Sequence, residues 1–376
     1  MQGNSNVLNI RVLGGGRESY VDIGKGLAMI AIVCGHIASV YFPSWLTSFW
    51  PVAFFFVVAG FYVKEEKLEK PVSFISHRLK TLYLPGTVIY LVAVLLHNAF
   101  CKWGMYPIGG EHPMTHQKFV LWDIKTELIQ VVKTIVAPNG ELVMGAMWFL
   151  YALFFALSFL SVLYFATKWL RVDTKKKTWI RCVLVVLIST FSILAAIYGI
   201  KVPRFSNALT IMTFIFCGMM MKQRFNVRFD NTAVVILSLI VYAQCIILPH
   251  DHQSFPVNRF SDLVLPLAMS VAAVYIVLFC SKRIEQTHYL SRILSYIGRE
   301  SLWIMAMHIF GFFVCTWLID MMGLGHQLHK AGMLYTYDVG NNIFLASLYL
   351  LFGICTPLFI MWGYRHLKKT IIKLKQ

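Results

Sequence analysis

The chain has 376 residues, of which 58% are hydrophobic and only 14% charged, with a mean hydropathy of +0.66. Soluble domains carry about 25% charged residues, so an ordinary soluble enzyme is excluded. The formal net charge of +17 does not point to nucleic acid either, because the basic residues sit in short loops between apolar runs rather than on one patch.

The segment before residue 19 is polar and glycine-bearing, "NSNVLNIRVLGGGRES". It has no apolar core followed by small residues and does not read as a cleaved signal peptide, so the first span directs insertion. Apolar runs of about 20 residues then place ten spans, near 21–41, 46–63, 82–101, 144–166, 180–200, 206–221, 231–249, 262–281, 300–319 and 341–363. The predicted fold class is all-α, a polytopic membrane protein of about ten transmembrane helices.

With the N-terminus inside, the inner segments hold 25 Lys and Arg and the outer loops 8, with Lys25 inside a span. That asymmetry places both termini in the cytoplasm. The outer loop 102–143 contains "WDIKTELIQVVKTIV", whose apolar residues fall at helical spacing and predict a helix lying on the outer surface, or a lid over neighbouring spans. No internal repeat or soluble domain interrupts the chain, so residues 1–376 form one membrane domain with a basic tail over 364–376. The eight cysteines fall almost entirely inside apolar runs, without zinc or disulfide spacing.

The first span, "YVDIGKGLAMIAIVCGHIASVYF", carries Asp22, Lys25 and His36. Eleven helical positions separate Lys25 from His36, which returns the side-chain direction to within about 20° and sets the two about 16 Å apart on one face. Ionisable groups in a bilayer cost several kcal/mol against lipid, so this stripe is expected to face a polar cavity. Lys25 has an alternative, to snorkel to the headgroups, and His36 has one as an interhelical hydrogen-bonder. Histidine suits proton transfer near neutral pH, which makes His36 the candidate base.

Arg17 followed by "VDIGKGLAMIAIVCGH" resembles the opening signature of the integral-membrane family 3 acyltransferases, in which an Arg, an Asp and a basic residue precede a His eleven positions later. Further pieces match in order: "FFFVVAGFYV" (54–63), "SHRLKTLYLP" (76–85), "MWFLYALF" (147–154) and "SLWIMAMHIF" (301–310). Two positions depart from the family pattern: Ala59 stands where Ser is usual, and Thr81 where a second Arg often follows. Among relatives the chain is most similar to the fucose 4-O-acetylase-like sugar acetyltransferases.

The resemblance implies a bacterial inner-membrane enzyme that uses cytoplasmic acetyl-CoA as cosubstrate, with no bound cofactor, to acylate a glycan or sugar hydroxyl. Its partners would be the acyl-CoA donor, the glycan acceptor and membrane lipids. Polyanionic CoA needs cations, and Arg17, Arg78 and Lys80 supply them with Lys25. His36 takes the role of base or acyl carrier. His308, eight residues into the ninth span and about 12 Å along it from Glu300, can lie at a depth similar to His36, as a supporting or oxyanion-binding group or as a structural histidine. Trp148 is expected to stack on adenine or sugar or to pack between helices, Phe149 to pack, and Asp22 to support Lys25 or Arg17.

The histidine pairs 112/116, 250/252 and 326/329 lack a third ligand at a recognised spacing, and no metal is expected. A rival reading from another class is a transporter or glycan exporter, with His36 and Lys25 on a proton or substrate path.

Overall fold

A bilayer offers no water to unsatisfied backbone groups, so apolar runs of this length resolve into helices. The computed structural model describes residues 18–37, 39–106, 108–110, 118–136, 141–200, 202, 205–247, 253–327, 330–331 and 336–374. In chain order the helices used below are α1 (Ser19–Gly35), α2 (Trp50–Phe61), α3 (Pro71–Leu95), α4 (Ile124–Val136), α5 (Trp148–Ala166), α6 (Thr174–Ile197), α7 (Phe205–Met219), α8 (Thr232–Ile247), α9 (Val264–Ile284), α10 (His288–Arg299), α11 (Ser301–Met321) and α12 (Ile343–Leu374). Among the described residues, eight helices are long and apolar enough to cross a membrane. α1, with 17 residues, and α8, with 16, occupy the predicted first and seventh spans. Each rises about 25 Å at 1.5 Å per residue, close to the roughly 30 Å hydrocarbon core.

Element boundaries differ where the backbone does something local. The second span is broken at Phe49, whose φ of 50° separates a short turn, Ser44–Thr47, from α2. The third starts eleven residues earlier than predicted, at Pro71, and runs through a π-helical turn at Leu79–Tyr83. Pro85 has no N–H to give, and the widened turn just before it lets the helix continue. The basic tail, placed after the last span, is instead the end of α12, which stays helical to Leu374.

α4 also departs from expectation. At one end the Asn98 side chain clasps Trp122, donating to its carbonyl at 2.9 Å and accepting from its N–H at 2.7 Å. At the other, the Tyr83 hydroxyl donates to the Ile135 carbonyl at 3.2 Å. Asn98 lies just beyond the end of α3 and Tyr83 near its middle, so α4 runs antiparallel alongside the second half of α3 rather than across its outer end. Ile124, Leu128, Val132 and Ile135, spaced at helical intervals, are left exposed, an apolar stripe suited to lipid.

Helices in membranes associate where small residues let backbones approach. Gly26 of α1 lies against the Leu294 carbonyl of α10, and Gly298 of α10 against the Asp22 carbonyl, so any side chain at either would collide with backbone. Gly60 and Gly218 make the same reciprocal contact between α2 and α7.

Ion pairs gather at one end of the bundle, called here the basic end. Arg181, buried over the Tyr164 ring, meets Glu69 at 2.9 Å and Glu65 at 3.3 Å. Lys222 meets Glu18 at 2.7 Å, and Arg365 grips Glu300 with two bonds of 2.8 and 2.7 Å. Several cations read as topology signals thus also tie helix ends together.

Candidate active site

α1 runs out at Gly35, and His36 is its C-cap. Carbonyls of a last helical turn have no N–H above them, and the His36 Nδ1–H donates to one of these, Ile32 O, at 2.8 Å. A carbonyl only accepts, so the proton of the neutral ring sits on Nδ1 and Nε2 keeps its lone pair. That is the form a general base requires.

His308 lies in the second turn of α11, with its Nδ1–H between two carbonyls, Ile304 at 3.0 Å and Met305 at 3.1 Å. Its Nε2 is buried and has no partner. The two rings stand edge to face with centroids 5.0 Å apart, which brings together the two histidines singled out in the sequence. They differ in access: His36 keeps solvent-accessible surface, whereas His308 is 0% exposed. The tautomer bears on the expected oxyanion role of His308, since an Nδ1–H pinned to carbonyls leaves Nε2 an acceptor; donation to an oxyanion needs the imidazolium.

A crevice of about 190 Å³ approaches this pair from the basic end, between Lys25, Tyr62, Ala59, Leu82, Phe149 and Met305, among others. Met305 at its wall is the residue whose carbonyl holds the His308 ring. The volume is below the roughly 300–1,000 Å³ of sites that enclose whole small molecules, so the crevice has room for one part of a substrate and not for a whole acyl-CoA. Its walls are apolar apart from Lys25, Tyr62 and Ser301. Lys25 stands 3.5 Å from the Asp22 carboxylate and 5.6 Å from the Tyr62 ring centroid. Asp22 is buried, and the pair joins two side chains one α1 turn apart, with Lys25 in the crevice lining.

The remaining predicted residues are distributed differently. Arg78 and Lys80 flank the start of the π turn that carries Leu82 into the crevice wall. The Arg78 guanidinium lies over the Phe74 ring at 5.1 Å, and its Nε is buried without a partner; Lys80 is exposed. Trp148 faces Phe56 and Phe149 at 6.5 and 6.3 Å, and it is Phe149, expected only to pack, that lines the crevice. Thr81 uses its hydroxyl to bond the His77 carbonyl at 2.9 Å. Arg17 falls outside the described residues, as do His112, His116, His250, His252 and His329. Among the described residues no three His, Cys, Asp or Glu side chains gather as metal ligands.

A family model described as an acyltransferase domain matches residues 18–362. The chain belongs to the family 3 acyltransferases. No curated protein and no solved structure matches it. The match begins just before α1 and ends within α12, so this membrane acyltransferase is one family unit in which α1 and α11, the carriers of the two histidines, are both included. Membership also displaces the transporter reading. Of the acyltransferase's two departures from the family pattern, Ala59 matters for shape, since it keeps the crevice wall apolar.

A second buried histidine escaped the sequence reading. His97 is stacked on Trp122 at 3.5 Å, donates from Nε2 to the Val120 carbonyl at 3.0 Å and bonds Glu141 through Nδ1 at 2.9 Å. Glu141 also accepts from the Tyr106 hydroxyl at 2.7 Å, and its N–H donates to Tyr90 at 2.8 Å. Burial, and then the Glu141 carboxylate, hold the Tyr106 phenol well above its ordinary pKa, so it stays a donor.

Proposed function

We propose that this membrane acyltransferase moves an acetyl group from acetyl-CoA, bound at the basic end, to a hydroxyl of a cell-surface or lipid-linked glycan. In this reading the basic end faces the cytoplasm of a bacterial cell across its inner membrane. The observation that carries the reading is the His36–His308 pair, whose Nε2 atoms have no hydrogen-bond partner among the described residues, next to an apolar crevice that is lined by Lys25 and reaches Met305, whose carbonyl holds the His308 ring. The crevice suits the pantetheine arm with its thioester, while the bulky nucleotide stays outside, where Lys25, Arg78 and Lys80 meet its phosphates; Arg17 is given the same role from the family resemblance alone.

The chemistry balances with the groups present. The acceptor hydroxyl gives its proton to His36 Nε2 as its oxygen attacks the thioester carbonyl. Collapse of the tetrahedral intermediate breaks the carbon–sulfur bond, and the CoA thiolate takes the proton back from the His36 imidazolium. His308, 5.0 Å away ring to ring, offers a second lone pair that stabilises the protonated state of its neighbour. In the alternative order His36 Nε2 is itself acylated and then deacylated by the sugar; the same lone pair serves both.

The test is transfer of radiolabel from acetyl-CoA by membranes carrying wild-type or His36→Ala protein at matched amounts, with native glycan extract as acceptor. Label in glycan with wild type alone supports the reading and identifies the acceptor. Equal labelling by both proteins removes His36 as base, and no consumption of acetyl-CoA by either removes acetyl-CoA as donor.

A further inference from the structure

A second opening at the basic end has no part in the donor crevice. It is a groove of about 530 Å³ between α10 and α12, lined by Arg292, Ile293, Tyr296, Ile297 and Arg299 on one side and Ile354, Cys355 and Leu358 on the other. We propose that this groove is a binding site for an anionic glycerophospholipid, whose phosphate is held by Arg292 and Arg299 and whose acyl chain lies along Ile354, Cys355 and Leu358.

Charge is the first argument. Neither guanidinium has an acidic partner among the described residues: Arg292 donates to His288 Nε2 at 3.3 Å, and Arg299 reaches Ser295 Oγ at 3.5 Å and stands over the Tyr296 ring at 5.9 Å. By contrast Arg181, Arg224 and Arg365 elsewhere at this end all meet carboxylates. Seven residues apart, Arg292 and Arg299 share one face of α10 with a rise of about 10 Å between them, a gap that two long side chains close on one phosphodiester. Arginine is the cation suited to such a bidentate grip.

Depth is the second. Glu300, the residue after α10, is tied to Arg365 of α12, which fixes the groove at the basic end of the bundle. Tyr289, Tyr296, Trp362 and Tyr364 are all exposed around that level, the placement of aromatic side chains at a headgroup boundary. The opposite wall is wholly apolar, as an acyl chain requires. The inner face of α10 is meanwhile pressed on α1 at Gly26 and Asp22, so a lipid in the groove holds α10 between α12 and the turn that carries Lys25.

Delipidated wild-type protein in neutral detergent, titrated with dioleoyl phosphatidylglycerol and read by native mass spectrometry, is expected to retain the lipid. Dioleoyl phosphatidylcholine is expected to bind at least tenfold more weakly, as is phosphatidylglycerol to the Arg292→Gln/Arg299→Gln protein. Lys175→Gln/Lys176→Gln, which removes the same charge from exposed positions on α6, should bind as wild type. Cys355→Trp, which fills the groove without touching charge, should also lose the lipid. Equal retention by the double arginine variant, equal binding of phosphatidylcholine, or equal loss in the lysine control would overturn the site. Tighter binding of a polyprenyl phosphate in competition would overturn its assignment to a glycerophospholipid and give the groove to an acceptor carrier.

Discussion

Two histidine sites in this molecule use the same side chain to opposite ends. At His97 both ring nitrogens are engaged, by the Val120 carbonyl and the Glu141 carboxylate, and the ring face is covered by Trp122. At His36 and His308 only Nδ1 is engaged among the described residues, each time by carbonyls of the ring's own helix, and the two rings stand with centroids 5.0 Å apart. A buried polar group without a partner costs stability, and under the proposed function the fold keeps such an atom at His308 for chemistry while it saturates His97 for structure. The number of unsatisfied nitrogens, rather than burial, distinguishes the two: His97 is 4% exposed and His308 0%.

The contrast predicts opposite phenotypes. His36→Ala should lower turnover by about 10³-fold or more, within the 10²–10⁴-fold range of general acid–base groups, while the midpoint of thermal unfolding in detergent stays near wild type. A parallel loss of unfolding midpoint and activity would show that His36 supports the fold instead. Glu141→Ala should do the reverse, destabilising by about 3–5 kcal/mol because it leaves His97 and Tyr106 buried without their shared acceptor, with the turnover of the surviving folded fraction little changed. An unfolding midpoint equal to that of wild type would break the comparison.

The part of this that was legible in the sequence follows from period and length. Asp22, Lys25 and His36 could be placed on one helical face because the spacing is local, and the second histidine because its span could be set to a similar depth. His97 was not legible: its partners Val120, Trp122 and Glu141 lie 23 to 44 residues away in a loop whose path no hydrophobic period encodes. For the same reason the sequence leaves α4 between a surface helix and a lid over neighbouring spans, since its exposed stripe of Ile124, Leu128, Val132 and Ile135 fits a membrane surface or a membrane interior equally well. The choice of Phe149 over Trp148 as crevice wall depends on a rotation of α5 that adjacent residues cannot reveal.

His308 sharpens the chemical side. With Nδ1 pinned to carbonyls, the neutral ring accepts at Nε2 and cannot donate to an oxyanion, so His308→Gln should cost about 10²-fold in kcat, at the lower end of the acid–base range, and should change the pH profile of kcat by removing one of two coupled rings. An unchanged profile with a large loss of kcat would return His308 to a purely electrostatic role.

The smallest expected effect lies at the far end of the crevice, where binding rather than chemistry is at stake. Arg78 caps the π turn and Lys80 lies within it, neither of them on the crevice wall, and Arg78 keeps a buried Nε without a partner. Contacts to donor phosphates made this far from the carbonyl stabilise ground and transition states alike, so their loss raises KM and leaves kcat nearly constant. Arg78→Gln/Lys80→Gln should therefore raise the acetyl-CoA KM several-fold, and the same variant should show little change with a truncated donor that keeps the pantetheine thioester but lacks the nucleotide. Loss of kcat with both donors would mean instead that the π turn, through Leu82, shapes the crevice itself, and that these cations act on the catalytic end by holding the third span in place.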